Sequence, residues 1–418
     1  MRIRYILAAT ATLGLLLTLV ACGEEPLLSD VSFSKDLITP NADHDNDVLI
    51  ITYNLSRSAE VSIYFEDEGG NLYYFRDHAH RGPSVEEPYQ VYFPGVVDGY
   101  VLPGEQFEGF TVDKRVLQDG VYTWWVEATD ETGHTERVTS KLTIAEADMA
   151  LPELRGFSVN PPIFTPNRDG IGDRAQINVY LSRQVEELTV YLSGEDGVRY
   201  HVAEDERLTR ENEPGLHSFD YDAGVDHGAD PPPDGTYTVR VQARDAVGQW
   251  ASAESTLTII DGGVPRPDIF NAEVEWSAES IVLGETLYFT LTVDNDSIAP
   301  VRTSGPPPGT VYDSDQNYAT LGEHIQSGVF RVGIHCETSP TDHPWRWAVG
   351  GPDDLVDEDG HLYLPAQGRA VVTGGIRFVD VIEARNPQYC YASLIHEDVE
   401  ISMVNFRVDP VFLFIQVP

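Results

Sequence analysis

Positive charge is what this chain has least of. Of its 418 residues 27 are Lys or Arg against 68 Asp or Glu, a net charge of −41, and the only lysines are Lys35, Lys114 and Lys141. A surface of that sign repels phosphate backbones and anionic headgroups, which argues against nucleic acid as a partner. It suits a soluble, unaggregated exterior and leaves room for bound cations. Long apolar runs are missing after residue 21, so no later segment reaches the ~20 residues of a membrane-spanning helix. Catalytic signatures are missing too. There is no G-x-S-x-G elbow, no phosphate-binding glycine loop and no dinucleotide fingerprint, and His396-Glu397 lacks the second His of H-E-x-x-H. The many carboxylates are scattered over turns, which leaves an unrecognised hydrolase as the weakest reading and a protein that is not an enzyme as the strongest.

What the chain does have begins at its N-terminus. Arg2 and Arg4 precede an apolar stretch at 6–20, and Leu19-Val20-Ala21-Cys22 closes it. That tetrad resembles the lipobox of bacterial lipoproteins. The resemblance implies removal of residues 1–21, acylation of Cys22, a short acidic tether over 22–30 and an extracytoplasmic, lipid-anchored location in the cell envelope. An ordinary secretory signal that happens to contain a Cys is the alternative. With Cys22 lipidated, Cys336 and Cys390 remain, and an even pair in an exported domain reads as a disulfide or as two unpaired core thiols. Bridged, they would close a loop of about 54 residues and add on the order of 3–4 kcal/mol.

One stretch occurs twice. Thr39-Pro40-Asn41 runs through Asp43, Asp45 and Asp47 to Leu55-Ser56-Arg57, and Thr165-Pro166-Asn167 runs through Asp169 and Asp173 to Leu181-Ser182-Arg183, without a gap at an offset of 126. Asp119-Gly120-Val121-Tyr122-Thr123 reappears as Asp234-Gly235-Thr236-Tyr237-Thr238 at an offset of 115, so the first copy carries eleven extra residues. The β-branched and aromatic run at 48–55, the period-two alternation at 59–65 and further strands at 121–128 and 135–144, with Gly, Pro, Asn and Asp turns, predict β-sandwiches.

Both copies resemble the FlgD-like immunoglobulin-type domain, a module appended to many bacterial surface and secreted proteins. The resemblance rests on the T-P-N-x-D turn, the strand pair ending in Leu-Ser-Arg and the D-G-x-Y-T strand. In the second copy His217 to Gly224 and Pro231 to Gly235 look like that family's W-D-G…P-D-G segment, with Phe219 in place of Trp; the first copy departs there. The expected layout is all-β: FlgD-like domains at 31–146 and 155–260, then an Ig-like β-sandwich at 268–418, joined by Pro-containing linkers into an extended array. The third domain's resemblance to bacterial extracellular Ig-like domains rests on its L-G-E-T-L and L-P-A-Q-G-R phrases and is mainly architectural.

Several residues are candidates for chemistry. Asp43, Asp45 and Asp47 alternate like the start of a Ca²⁺ loop, and Asn167, Asp169 and Asp173 keep part of that pattern with Ile171 in place of Asp45. The same residues suit an Asx-type turn in which the side chains cap backbone N–H groups. Residues 353–360 form a further acidic loop, read as a solvated hairpin tip. His78 with His80, and His335 beside Cys336, raise a zinc question, but neither has two further ligands at a recognised spacing. Trp345 and Trp347 alternate around Arg346 and would either face a sugar or fill a core. The function expected is adhesion, scaffolding or docking at the cell surface toward a protein or glycan partner, and the alternative is a carbohydrate-binding accessory protein.

Overall fold

The computed structural model describes residues 25–204 and 209–418. Cys22 and the apolar stretch before it lie outside the described residues. The chain forms two compact units, one of residues up to Tyr100 with Lys114–Ala150, the other of Val101–Asp113 with Leu151–Pro418. Both are all-β.

In the first unit, Leu28–Phe33, Leu49–Leu55 and Tyr89–Phe93 make one sheet. The other has the order Leu37–Ile38, Thr135–Ile144, Gly120–Asp130, Ala59–Glu66, Leu72–Arg81. Alternation decides which side chains face inward. Leu49, Ile51, Tyr53 and Leu55 point from one sheet toward Val61, Ile63, Phe65, Trp124 and Val126 of the other, all of them buried. Leu37–Ile38 lies parallel to the end of Thr135–Ile144, a short crossing that returns the chain into the acidic turn at Asn41.

The first module of the second unit repeats this plan. Leu154–Asn160, Ala175–Leu181 and Gly215–Tyr221 form its small sheet; Ile163–Phe164, Trp250–Ile259, Gly235–Arg244, Glu187–Ser193 and Arg199–Val202 belong to the larger one. Even the irregularity in the opening strand recurs, between Ser29 and Ser32 and between Arg155 and Ser158. The D-G-x-Y signature closes a corner in each copy: the Tyr122 hydroxyl donates to the Gln118 carbonyl at 3.0 Å and that of Tyr237 to Pro233 at 2.6 Å. The extra residues of the first copy belong to the second unit, where Phe107, Phe110 and Val112 pack on the apolar core and Asp113 pairs with Arg240 at 2.9 Å.

The rest of the second unit is another two-sheet module. Thr286–Asn295 and Arg369–Arg377 are central to one sheet, and Phe330–Cys336, Gln388–His396 and Val408–Gln416 to the other. Trp347 sits between the layers, edge-on to Phe289 and Tyr312. Gly374 makes room for it, since a Cβ there would lie 2.5 Å from the indole.

Candidate functional site

The two acidic turns share one hydrogen-bond scheme. In the first, Asp47 Oδ1 accepts from the N–H groups of Asn41 and Ala42 at 3.0 and 2.9 Å, and its Oδ2 from His44 at 2.7 Å. Asn41 Oδ1 caps Asp43, and Asp43 Oδ1 caps Asp45. In the second, Asp173 accepts from Asn167 at 3.1 Å and Gly170 at 2.7 Å, Asn167 caps Asp169, and Asp169 caps Ile171. Positive φ at Ala42, His44 and Asn46 is matched at Arg168, Gly170 and Gly172. This is the backbone-capping geometry of an Asx turn, and each carboxylate in it satisfies its own loop. The ligand atoms of Asp43, Asp45 and Asp47 do not gather within 4.8 Å of one another.

The difference lies in what surrounds the turns. Asp43 and Asp45 are exposed, whereas Asn167 and Asp169 are buried because the second turn is seated in the third module. The Tyr363 hydroxyl donates to Asp169 Oδ2 at 2.7 Å, and Arg302 Nη1 donates to the Asp169 carbonyl at 2.8 Å. His396 Nε2 lies 2.8 Å from the Arg168 carbonyl, so that nitrogen carries the proton. The Arg168 guanidinium reaches Glu400 at 3.1 Å. Two glycines allow the approach. A Cβ on Gly328 would fall 2.1 Å from the Asp169 carbonyl carbon, and one on Gly170 would fall 2.3 Å from the Ser327 carbonyl oxygen. The residue matching Gly170 in the first copy is His44, which has no such freedom.

Burial shifts the groups at this seat. It pushes the Asp173 carboxyl above the usual Asp range, against the lowering by the Asn167 and Gly170 amides, and it lowers the His396 imidazole to about 4. Behind the seat, Glu397 is buried with two arginines: its Oε1 lies 3.1 Å from Arg331 Nη1 and 2.7 Å from Arg346 Nη1, and its Oε2 accepts from the Gln326 N–H at 2.8 Å.

The Leu-Ser-Arg signature is explained by its partner at the end of the strand Gly120–Asp130. Arg57 Nη2 lies 2.7 Å from Asp130, and Arg183 Nη1 lies 3.8 Å from Asp245. Asp130 is held below the usual Asp range, chiefly by the Thr132 hydroxyl and then by Arg57. Asp245 is pushed above it by burial, despite Gln249.

Of the other candidates, Cys336 and Cys390 face each other across paired strands and are joined as a disulfide. Trp345 and Trp347 are 3% and 0% exposed, so neither ring offers a face to a sugar, and the pair belongs to the core. His78 and His80 are exposed on Leu72–Arg81, without a third ligand among the described residues. In the 353–360 loop Asp354 and Asp357 cap Gly351 and Gly360. Sequence reasoning missed Tyr363, Arg302, His396 and Gly328, since nothing local marks a residue whose partner lies 194 positions away.

No family model matches the chain, and no curated protein matches it. Among solved structures it is similar to a tetra-tandem repeat in the extending region of a large adhesion protein, at 14% identity over 89% of this chain and 71% of that one, TM-score 0.20. It is also similar to a Ca²⁺-stabilized adhesin that helps an Antarctic bacterium reach out and bind ice, at 11% identity over 94% and 74%, TM-score 0.22. A DUF4785 family protein from Legionella pneumophila is similar at 10% identity over 92% and 90%, TM-score 0.24. At these identities and TM-scores the likeness carries no argument about what this chain does.

Proposed function

We propose that this chain is a non-enzymatic, lipid-anchored protein of the cell envelope, in which FlgD-like immunoglobulin-type modules present the third module for adhesion, scaffolding or docking. The observation that carries this reading is the seat of the second acidic turn. A capped loop that stands free in one copy is clamped in the other by Tyr363, Arg302, His396 and Glu400. Such a clamp fixes the pose of two adjoining modules, which a presenting scaffold requires. The Cys336–Cys390 disulfide suits an oxidising, extracytoplasmic compartment. Lipid at Cys22 would supply the membrane end, and a protein or glycan of the envelope or a neighbouring surface the partner.

The test uses the full-length chain and a Cys22→Ser variant expressed in a bacterial host. Cells are fed an alkyne-bearing palmitate analogue and then assayed for retention on surfaces coated with envelope material. The expected result is label and membrane association for the wild type, loss of both in the variant, and higher retention only of cells carrying the wild type. Equal retention with and without the anchored chain, or turnover of a glycan or peptide substrate by the purified chain, overturns the reading.

A further inference from the structure

The strongest unassigned feature is a group of side chains at the far end of the strand Phe330–Cys336. His335 stands on that strand opposite Tyr391 and next to the disulfide. The chain then turns and brings Asp342 and His343 back beside it. His343 Nδ1 lies 2.8 Å from Asp342 Oδ1, and His335 Nδ1 lies 4.0 Å from the same oxygen. One ligand atom from each of the three falls within 4.8 Å of the others, the only such convergence of three among the described residues.

Packing alone does not account for His343. Its side chain is fully buried, Nε2 has no hydrogen-bond partner among the described residues, and Nδ1 lies close to the Asp342 carboxylate. Burying an imidazole in that condition is costly. Its backbone is also held at φ 38, in the left-handed region that a residue with a side chain rarely adopts. The surroundings are built to keep it there. Gly333 clears the space, because a Cβ on it would lie 3.1 Å from His343 Cβ. Arg346 donates to the carbonyls of His343 and Asp342 at 3.0 and 3.3 Å while paired with the buried Glu397. The His343 N–H donates to His335 Nδ1 at 3.2 Å, a long bond that ties the two histidines together.

We propose that His335, Asp342 and His343 form a binding site for a divalent transition-metal ion of the zinc class, with its remaining position open to water or to a ligand from a partner. Two imidazoles and one carboxylate match the borderline-soft preference of such ions, whereas Ca²⁺ and Mg²⁺ take all-oxygen shells. Bonds of about 2.0–2.2 Å to a tetrahedral ion place donor atoms roughly 3.3 Å apart. The separations of 2.8 and 4.0 Å bracket that value. Asp342, whose side chain is 73% exposed, can adjust without moving the strand. Coordination through His335 Nδ1 displaces the long bond from the His343 amide. The disulfide removes Cys336 as a competing thiolate ligand. None of this depends on the proposed surface role.

The experiment titrates the metal-stripped, purified full chain with Zn²⁺ by calorimetry and with Co²⁺ by visible absorption, beside Asp342→Asn and His335→Gln. Both variants alter incompletely buried residues, and their metal-free melting curves show whether the fold is intact. The wild type is expected to bind one Zn²⁺ and one Co²⁺ with a tetrahedral d–d band. Each variant is expected to lose more than the roughly 10–100-fold typical of a supporting residue, together with the band. A chain that binds no Zn²⁺, or one whose affinity and Co²⁺ spectrum survive both substitutions with the fold intact, overturns the proposal.

Discussion

The acidic turn at Asn41–Asp47 and the one at Asn167–Asp173 have the same caps and the same pattern of positive φ, yet one faces solvent and the other is a buried joint. The comparison separates what a motif does for itself from what it does for its neighbours. The caps are local and occur in both copies. The seat depends on a few substitutions around them: Gly170 replaces His44 and lets the backbone of Ser327 approach, and Arg168 replaces Ala42 and reaches Glu400. The carboxylate at one position thus has two fates. Asp43 caps one amide in water, while Asp169 caps one amide and also accepts from Tyr363 in a buried site.

The contrast can be broken most severely from behind the seat. Glu397→Ala takes from the buried Arg346 its carboxylate partner and leaves the buried Arg331 only Glu323 at 3.8 Å, and is expected to cost the second unit about 3–5 kcal/mol. Hydrogen exchange read by mass spectrometry on the intact chain should show lost protection there and none in the first unit. Equal loss in both units would mean that the two are not separately stabilised. Exchanging the matched residues is the next largest change. Gly170→His should unseat the turn at a cost of about 3 kcal/mol, since the clash is with backbone. His44→Gly should shift stability by no more than about 1 kcal/mol. Similar values for the two would show that the glycine does not decide the docking. Tyr363→Phe removes one hydroxyl donor to a carboxylate and should cost about 2 kcal/mol, measured by urea unfolding. A neutral result would place the strength of the joint in Arg302 and His396 instead.

Acidification should separate the two units by pH window. His396 is lowered to about 4 from an ordinary 6.5, so the unfolded chain takes the proton first. Its contribution is complete above about pH 6.5 and is lost as pH falls toward 4. Asp130 in the first unit is held below its ordinary 3.8, so its contribution is present above that value and is lost only as pH falls below it. Asp173 and Asp245 are raised and act with the opposite sign, adding stability as they take up protons. Urea midpoints of the second unit should therefore decline between pH 6.5 and 4 with a slope that His396→Gln flattens, and Asp130→Asn should flatten the fall of the first unit below 3.8. Unchanged slopes in both variants would remove these groups from the account.

Much of the architecture was legible in the sequence because its causes are short-range. The β-branched and aromatic run Leu-Ile-Ile-Thr-Tyr-Asn-Leu marks the strand Leu49–Leu55, and the structure places Leu49, Ile51, Tyr53 and Leu55 inward. The Asn and Asp caps reach two to six residues along the chain, and the Tyr122 and Tyr237 corners reach four. The tryptophan pair shows where such reading stops. Period two at Trp345 and Trp347 suits a sheet face or a core, and only the packing of Phe289 and Tyr312 around Trp347 decides between them.

The repeat, the all-β class and the even cysteine pair were legible in the residues alone, which left the acidic turns open between backbone caps and a Ca²⁺ loop. Each follows from spacing between neighbours, and backbone sterics and local hydrogen bonds act at that range. The tertiary structure alone decided that Asp169 meets Tyr363, that Phe110 joins the core of the second copy, and that His335 meets Asp342 and His343. Those meetings depend on how finished sheets pack and on where a missing Cβ at Gly328, Gly170 or Gly333 lets two backbones or a ring come close.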